Sequence, residues 1–149
     1  MHFIINLLIL LPAQIASHFS WAGPLIMRLI VGYTFMLAGW GKLNNLAQVT
    51  ENFVGWGIPF PKILTPFVSS VECFGGAMLI LGLFTRPVAF ILSGEMAFAY
   101  FIGHMFKAAP VFHPLLNGGT LAALYCFTCL YLSTAGAGPW SVDASMKKA

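Results

Sequence analysis

Arg28, Glu72, Glu95 and His104 sit inside long apolar runs of this chain rather than between them, and Lys42 and Arg86 stand at run ends. A charge in hydrocarbon costs several kcal/mol, about 2.5–3.5 on insertion scales, so such residues pair, neutralise, or move protons, ions or substrate. They are the first candidates for chemistry. Arg28, Gly32, Phe35, Gly39 and Lys42 recur at helical spacing, which places all five on one face. That face is expected to meet protein, with Gly32 and Gly39 as helix-packing positions and Gly75-Gly76 in the same role further on. The plainer alternative for Arg28 and Lys42 is that their stems snorkel to the head groups.

Glu72 falls near the middle of its run, where an unpaired carboxylate is neutral or needs a cation. Arg28 is the expected partner. Arg86 and His104 are 18 residues apart and share a helical face, whereas Glu95 lies midway and points the opposite way. Arg86 and His104 are therefore expected to face the bundle, with Glu95 at a secondary charged seam or subunit contact. His104 and His113 have no Cys or carboxylate close in sequence, so no metal site is expected. A His at the bilayer edge suits proton transfer instead. Cys126 and Cys129 form a C-x-x-C spacing, but mid-run rather than at a helix N-terminus, so they are read as inert buried thiols.

The elements that must position these residues follow from composition. The chain is 59% hydrophobic and 7% charged with a mean hydropathy of +0.87, against roughly 25% charged in soluble domains. Four apolar runs, near 24–43, 64–84, 87–106 and 114–134, approach the roughly 20 residues a bilayer core requires. Pro24, Pro66, Pro87 and Pro114 stand near their starts. Lipid-exposed open sheets would leave backbone groups unpaired. The predicted fold is therefore all-α, an integral membrane four-helix bundle, with residues 1–22 as an interfacial N-terminal helix, 23–145 as the membrane domain and 146–149 as a short basic tail. No Lys or Arg precedes Phe3–Leu11, which argues against a signal peptide. Residues 44–63 read as a long loop whose Phe53, Trp56 and Phe60 either anchor it at the interface or close a lateral opening. Arg28, Arg86, Lys147 and Lys148 outnumber Lys42, Lys62 and Lys107, which leans toward both termini in the cytoplasm.

In order and spacing, the chain resembles the DoxX family of small four-helix bacterial membrane proteins. The resemblance rests on Arg28-Leu29-Ile30-Val31-Gly32, Gly39-Trp40-Gly41-Lys42-Leu43, Gly57-Ile58-Pro59, Glu72 with Gly75-Gly76, Gly82-Leu83-Phe84-Thr85-Arg86, His104, Asn117-Gly118-Gly119 and Gly138-Pro139-Trp140-Ser141-Val142-Asp143. Thr120 and Ala137 depart from it, where relatives often carry an acidic residue and a second proline. The resemblance implies an inner-membrane location and a quinone-linked redox component, or a membrane subunit of an oxidoreductase complex. Quinone is the candidate cofactor, with none covalently bound, and Arg28, Lys42, Glu72, Arg86, His104, Trp40 and Asn117 are the candidate binding residues. Three cysteines are too few for a four-thiolate cluster, so electrons would come from a partner. Membrane lipid and a protein partner or a second copy are the expected contacts, and no nucleic acid. The competing readings are an assembly subunit whose charges set helix register, and a small-molecule transporter.

Overall fold

A computed structural model describes residues 6–106 and 111–148. The chain forms α1 (Leu11–His18), α2 (Ala22–Leu43), α3 (Leu46–Gly55), α4 (Pro61–Leu81), α5 (Thr85–Tyr100), α6 (Pro114–Asn117), α7 (Thr120–Ala135) and α8 (Val142–Met146). Wider turns at Asn6–Leu10 and Phe101–Met105 extend α1 backward and α5 forward. Three helical segments, Ala22–Leu43, Pro61–Leu81 and Thr85–Met105, are long and apolar enough to cross a membrane. Most of their surface stays outside the bundle, and a ring of exposed Phe, Leu and Ile side chains faces lipid.

The fourth run differs from its expected form. It is split by Gly118, whose φ of +73° ends α6, and α7 holds only 16 residues, about 24 Å at the α-helical rise. The expected loop over 44–63 also holds a helix, α3, whose Phe53 is buried beneath the bundle edge. At the N-terminus, α1 has no buried residue. Pro12 stands in its first turn. Residues 1–5 of the expected interfacial segment, Lys107 and Ala149 lie outside the described residues.

Close backbone approach joins α2 to α4. A Cβ added to Gly39 would stand 2.3 Å from the Cys73 nitrogen, and one on Gly76 would stand 2.5 Å from the Gly32 carbonyl oxygen. Neither neighbour is a side chain that can turn away. In lipid, where apolar tails solvate apolar residues, this contact of small residues is what holds two helices together. Adjacent Gly75 faces the other way and accommodates Leu92 of α5. Val31, Phe35, Leu79, Leu92, Met96, Cys129 and Leu132 then fill the core between the four long helices, and the Ser93 hydroxyl donates to the Cys126 carbonyl at 2.8 Å to tie α5 to α7.

Gly39→Ala is expected to lower the thermal unfolding midpoint of the detergent-solubilised protein, by an overpacking cost of about 1–3 kcal/mol or more. Gly94→Ala, where nothing stands within 4 Å, is expected to leave that midpoint unchanged.

Candidate functional site

The glycine contacts stagger α2 against α4 and so decide which charges meet. Gly32 lies beside Gly76 and Ile80, and Gly39 beside Ser69 and Cys73. Continued along these two antiparallel helices, this register puts Arg28 level with Gly82 and Lys42 near Val68, one turn from Glu72, a gap that its long side chain spans. The Lys42 ammonium accordingly pairs with Oε1 of Glu72. Arg28, the expected partner of Glu72, lies too far toward the termini. Its guanidinium instead donates to the carbonyls of Leu79, Ile80 and Trp140. The expectation failed because counting inward from each helix end assumes helices that start flush, and these do not.

Glu95 is the second correction. Its carboxyl feels both the Glu72 carboxylate and the Lys42 ammonium, and neither oxygen makes a hydrogen bond of ordinary geometry. It belongs to the bundle's central charge cluster, not to an outer seam. The residues expected in its place are elsewhere. Arg86 is exposed and donates to the carbonyls of Ser133 and Thr134, at the C-terminal end of α7. His104 lies in the turn Phe101–Met105, where the Phe106 N–H reaches back five residues to the Phe101 carbonyl. The extra residue in that turn breaks the 3.6-residue periodicity on which the shared face of Arg86 and His104 depended.

Lys42, Glu72 and Glu95 meet in a cleft of about 560 Å³ between α4 and α5, roofed by α3 and the segment after it. Its other lining residues are overwhelmingly apolar: Phe53, Trp56, Ile58, Pro59, Leu64, Phe67, Val68, Val71, Ile91, Met96, Phe98, Ala99, Ile102 and Gly103. Phe53 and Trp56 stack with ring centroids 5.9 Å apart. Glu72 is 2% exposed, and its second oxygen, Oε2, has no hydrogen-bond partner. An apolar cavity of this size with a few convergent polar groups is the usual form of a small-molecule site.

Two other polar clusters flank the cleft. On the side away from the termini, Tyr100 donates to the Phe112 carbonyl, and the Asn117 amide donates to the Val111 carbonyl at 2.8 Å and to the Tyr100 hydroxyl at 3.3 Å. His104 Nδ1 lies 3.3 Å from the Asn117 carbonyl. His104 and Asn117 thus brace the segment between α5 and α7 and do not line the cleft. Trp40, 61% exposed, lies on the outer face of α2. Cys73, Cys126 and Cys129 are free thiols.

On the terminus side, sequence reasoning quoted Asp143 but gave it no task. Both its oxygens accept backbone N–H bonds, from Phe84 at 2.7 Å and Thr85 at 2.9 Å, and so cap the start of α5 from the far end of the chain. Its own N–H donates to the Gly82 carbonyl. Gly82, at φ +67°, has no room for a side chain, since a Cβ would stand 2.5 Å from Ser141. Trp21 and Trp140, with ring centroids 6.2 Å apart, show that both chain ends leave the bundle on this side. A lone Asp after Pro-Trp-Ser, opposite a helix start with no acidic residue of its own, was the available signal.

Burial alone would push the Asp143 carboxyl up, but the hydrogen bonds from Thr85 and Phe84, with Lys147 nearby, outweigh it and hold the group below its ordinary value of 3.8. A depressed folded value contributes stability that is present above the unfolded value and lost as pH falls through the folded one. Amide exchange at Phe84 and Thr85 is therefore expected to stay slow down to the ordinary carboxylate range and quicken only below it. Asp143→Ala is expected to quicken it at neutral pH, by a capping loss of about 0.5–2 kcal/mol.

Comparison with known proteins agrees with this architecture. The DoxX family model matches residues 23–105. An uncharacterized protein of Haemophilus influenzae is 40% identical over 117 residues, which cover 78% of this chain and 85% of that protein. A second uncharacterized protein of the same organism is 30% identical over 138 residues, 87% of this chain and 86% of its own length. The Escherichia coli inner membrane protein YqjF is 29% identical over 126 residues, 85% of this chain and 93% of YqjF. No solved structure matches the chain.

Proposed function

The chain belongs to the DoxX family, and from that premise we propose that this integral membrane protein is a quinone-linked redox component of the bacterial inner membrane, with both termini cytoplasmic. The likeness to the inner membrane protein YqjF supports the location. One observation carries the rest: a lipid-accessible apolar cleft that ends on Lys42, Glu72 and Glu95. The walls suit an isoprenoid-like tail or ring face, and the floor offers an ammonium donor beside carboxyl oxygens that lack partners. A head group with two opposed oxygens fits that mixture. A bound quinone would supply two-electron chemistry, with the electrons delivered by a reduced partner protein. Lys42 orients a carbonyl oxygen, and the carboxyl pair passes protons to or from the head group. Phe53 and Trp56 exclude water above it.

In this reading Arg28, Arg86, His104 and Asn117 hold the helices and connecting segments that frame the cleft, and Trp40 meets lipid or a partner. A structural or assembly role has its own support, because Arg28 and Arg86 are given over to main-chain carbonyls. The two readings separate in one preparation. Protein isolated from its native membrane in mild detergent is expected to carry near-stoichiometric quinone by mass spectrometry of the extracted lipids. Glu72→Gln and Ile102→Trp, one altering the floor and one filling the wall, are each expected to lose it while still inserting. A reproducible protein partner with no quinone in the wild type would favour the assembly role.

A further inference from the structure

Charge counting at the cleft floor leads beyond the quinone reading. Lys42 comes from α2, Glu72 from α4 and Glu95 from α5, and Cys126 and Cys129 of α7 stand behind Glu95. One ammonium faces two carboxyls. The Lys42–Glu72 pair balances itself, so the remaining carboxyl is neutral only when the pair of acids holds one proton between them. Glu72 Oε2 and both Glu95 oxygens make no hydrogen bond of ordinary geometry to any other residue, and the two carboxyls interact with each other; Glu72 is 2% exposed. An uncompensated charge in such a setting is costly, whereas a proton or a second cation removes the cost.

We propose that the cleft is a site for lipophilic organic cations, in which one ligand charge takes the place of the proton shared by Glu72 and Glu95. The ligand class is an amine or onium ion carrying apolar bulk. Its charge lies against the unpartnered carboxyl oxygens, and its bulk fills the apolar walls. The stacked Phe53 and Trp56 rings add aromatic surface against the ligand's apolar bulk. The cleft volume of about 560 Å³ falls within the usual range for such ligands. Binding releases one proton, so charge is conserved in the cleft. A neutral quinone, by contrast, occupies the proton-loaded state, so the two ligand classes respond oppositely to pH.

The test uses the full chain in lipid nanodiscs with tetraphenylphosphonium as probe and triphenylphosphine oxide as neutral comparator. Release of one proton per bound cation is expected in weakly buffered titration calorimetry, with the cation's affinity rising about tenfold per pH unit across the protonated range. Glu95→Gln is expected to abolish both the release and the slope. Should that variant fail to fold, the wild-type proton count decides alone. Absence of cation binding, binding without proton release, or equal affinity for the neutral comparator would each overturn the proposal. Quinone retained by a protein that fails this test would leave the redox reading standing, and cation binding with no quinone would remove that reading and keep this one.

Discussion

The contact between Lys42 and Glu72 carries more consequence than its single hydrogen bond suggests. Glu72 is 2% exposed and Lys42 35% exposed, so the cost of losing the partner falls mainly on the buried carboxylate. The register of α2 against α4 bears on the pair, because the Lys42 side chain already spans about one turn to reach Glu72 and a further one-turn slip in the same direction would add about 5.4 Å. The glycine contacts impose that register by sterics, and the ion pair penalises the alternatives by electrostatics. Two weak devices thereby select one arrangement, in a solvent that offers no hydrophobic force between helices.

From that register the rest of the framework follows. In that register Arg28 falls at the far end of α4, where the Leu79 and Ile80 carbonyls of the last turn accept hydrogen bonds from it. The same guanidinium captures the Trp140 carbonyl and so draws in the segment that delivers Asp143 to the start of α5. Capping from a distant segment fixes where α5 begins and, about three turns on, where Glu95 points. The cleft is what remains between α4 and α5 once α2 and α7 have taken the tight contacts on either side.

Much of this was legible in the sequence. The apolar runs announced the membrane bundle, in which Gly32, Gly39 and Gly76 stand at close backbone contacts and Gly75 lies against Leu92. Glu72 was recognised as needing a cation. Which cation was not, since helix stagger is a property of two surfaces in contact and no single helix records it. Glu95 was misplaced for a different reason: the projection set it opposite Arg86, as the helix does, but pairing Arg86 with His104 across the wide turn at Phe101–Met105 took Arg86's exposed side for the inner one. The helix α3 was hidden by Gly55, Gly57 and Pro59, whose turn signals dominate a stretch with only ten helical residues. Arg86 and His104 show the converse error, in which a polar side chain among apolar neighbours serves main-chain carbonyls rather than a ligand.

The central claim is that a lipid-soluble ligand enters between α4 and α5 and stops at the charged floor. Photo-crosslinking with an azido-substituted quinone in native membranes, followed by peptide mass spectrometry, tests it most directly. The account predicts adducts concentrated on Phe67, Phe98 and Ile102 and suppressed by excess unlabelled quinone. Adducts spread evenly over outward residues such as Leu121 and Phe127, undiminished by competitor, would contradict it.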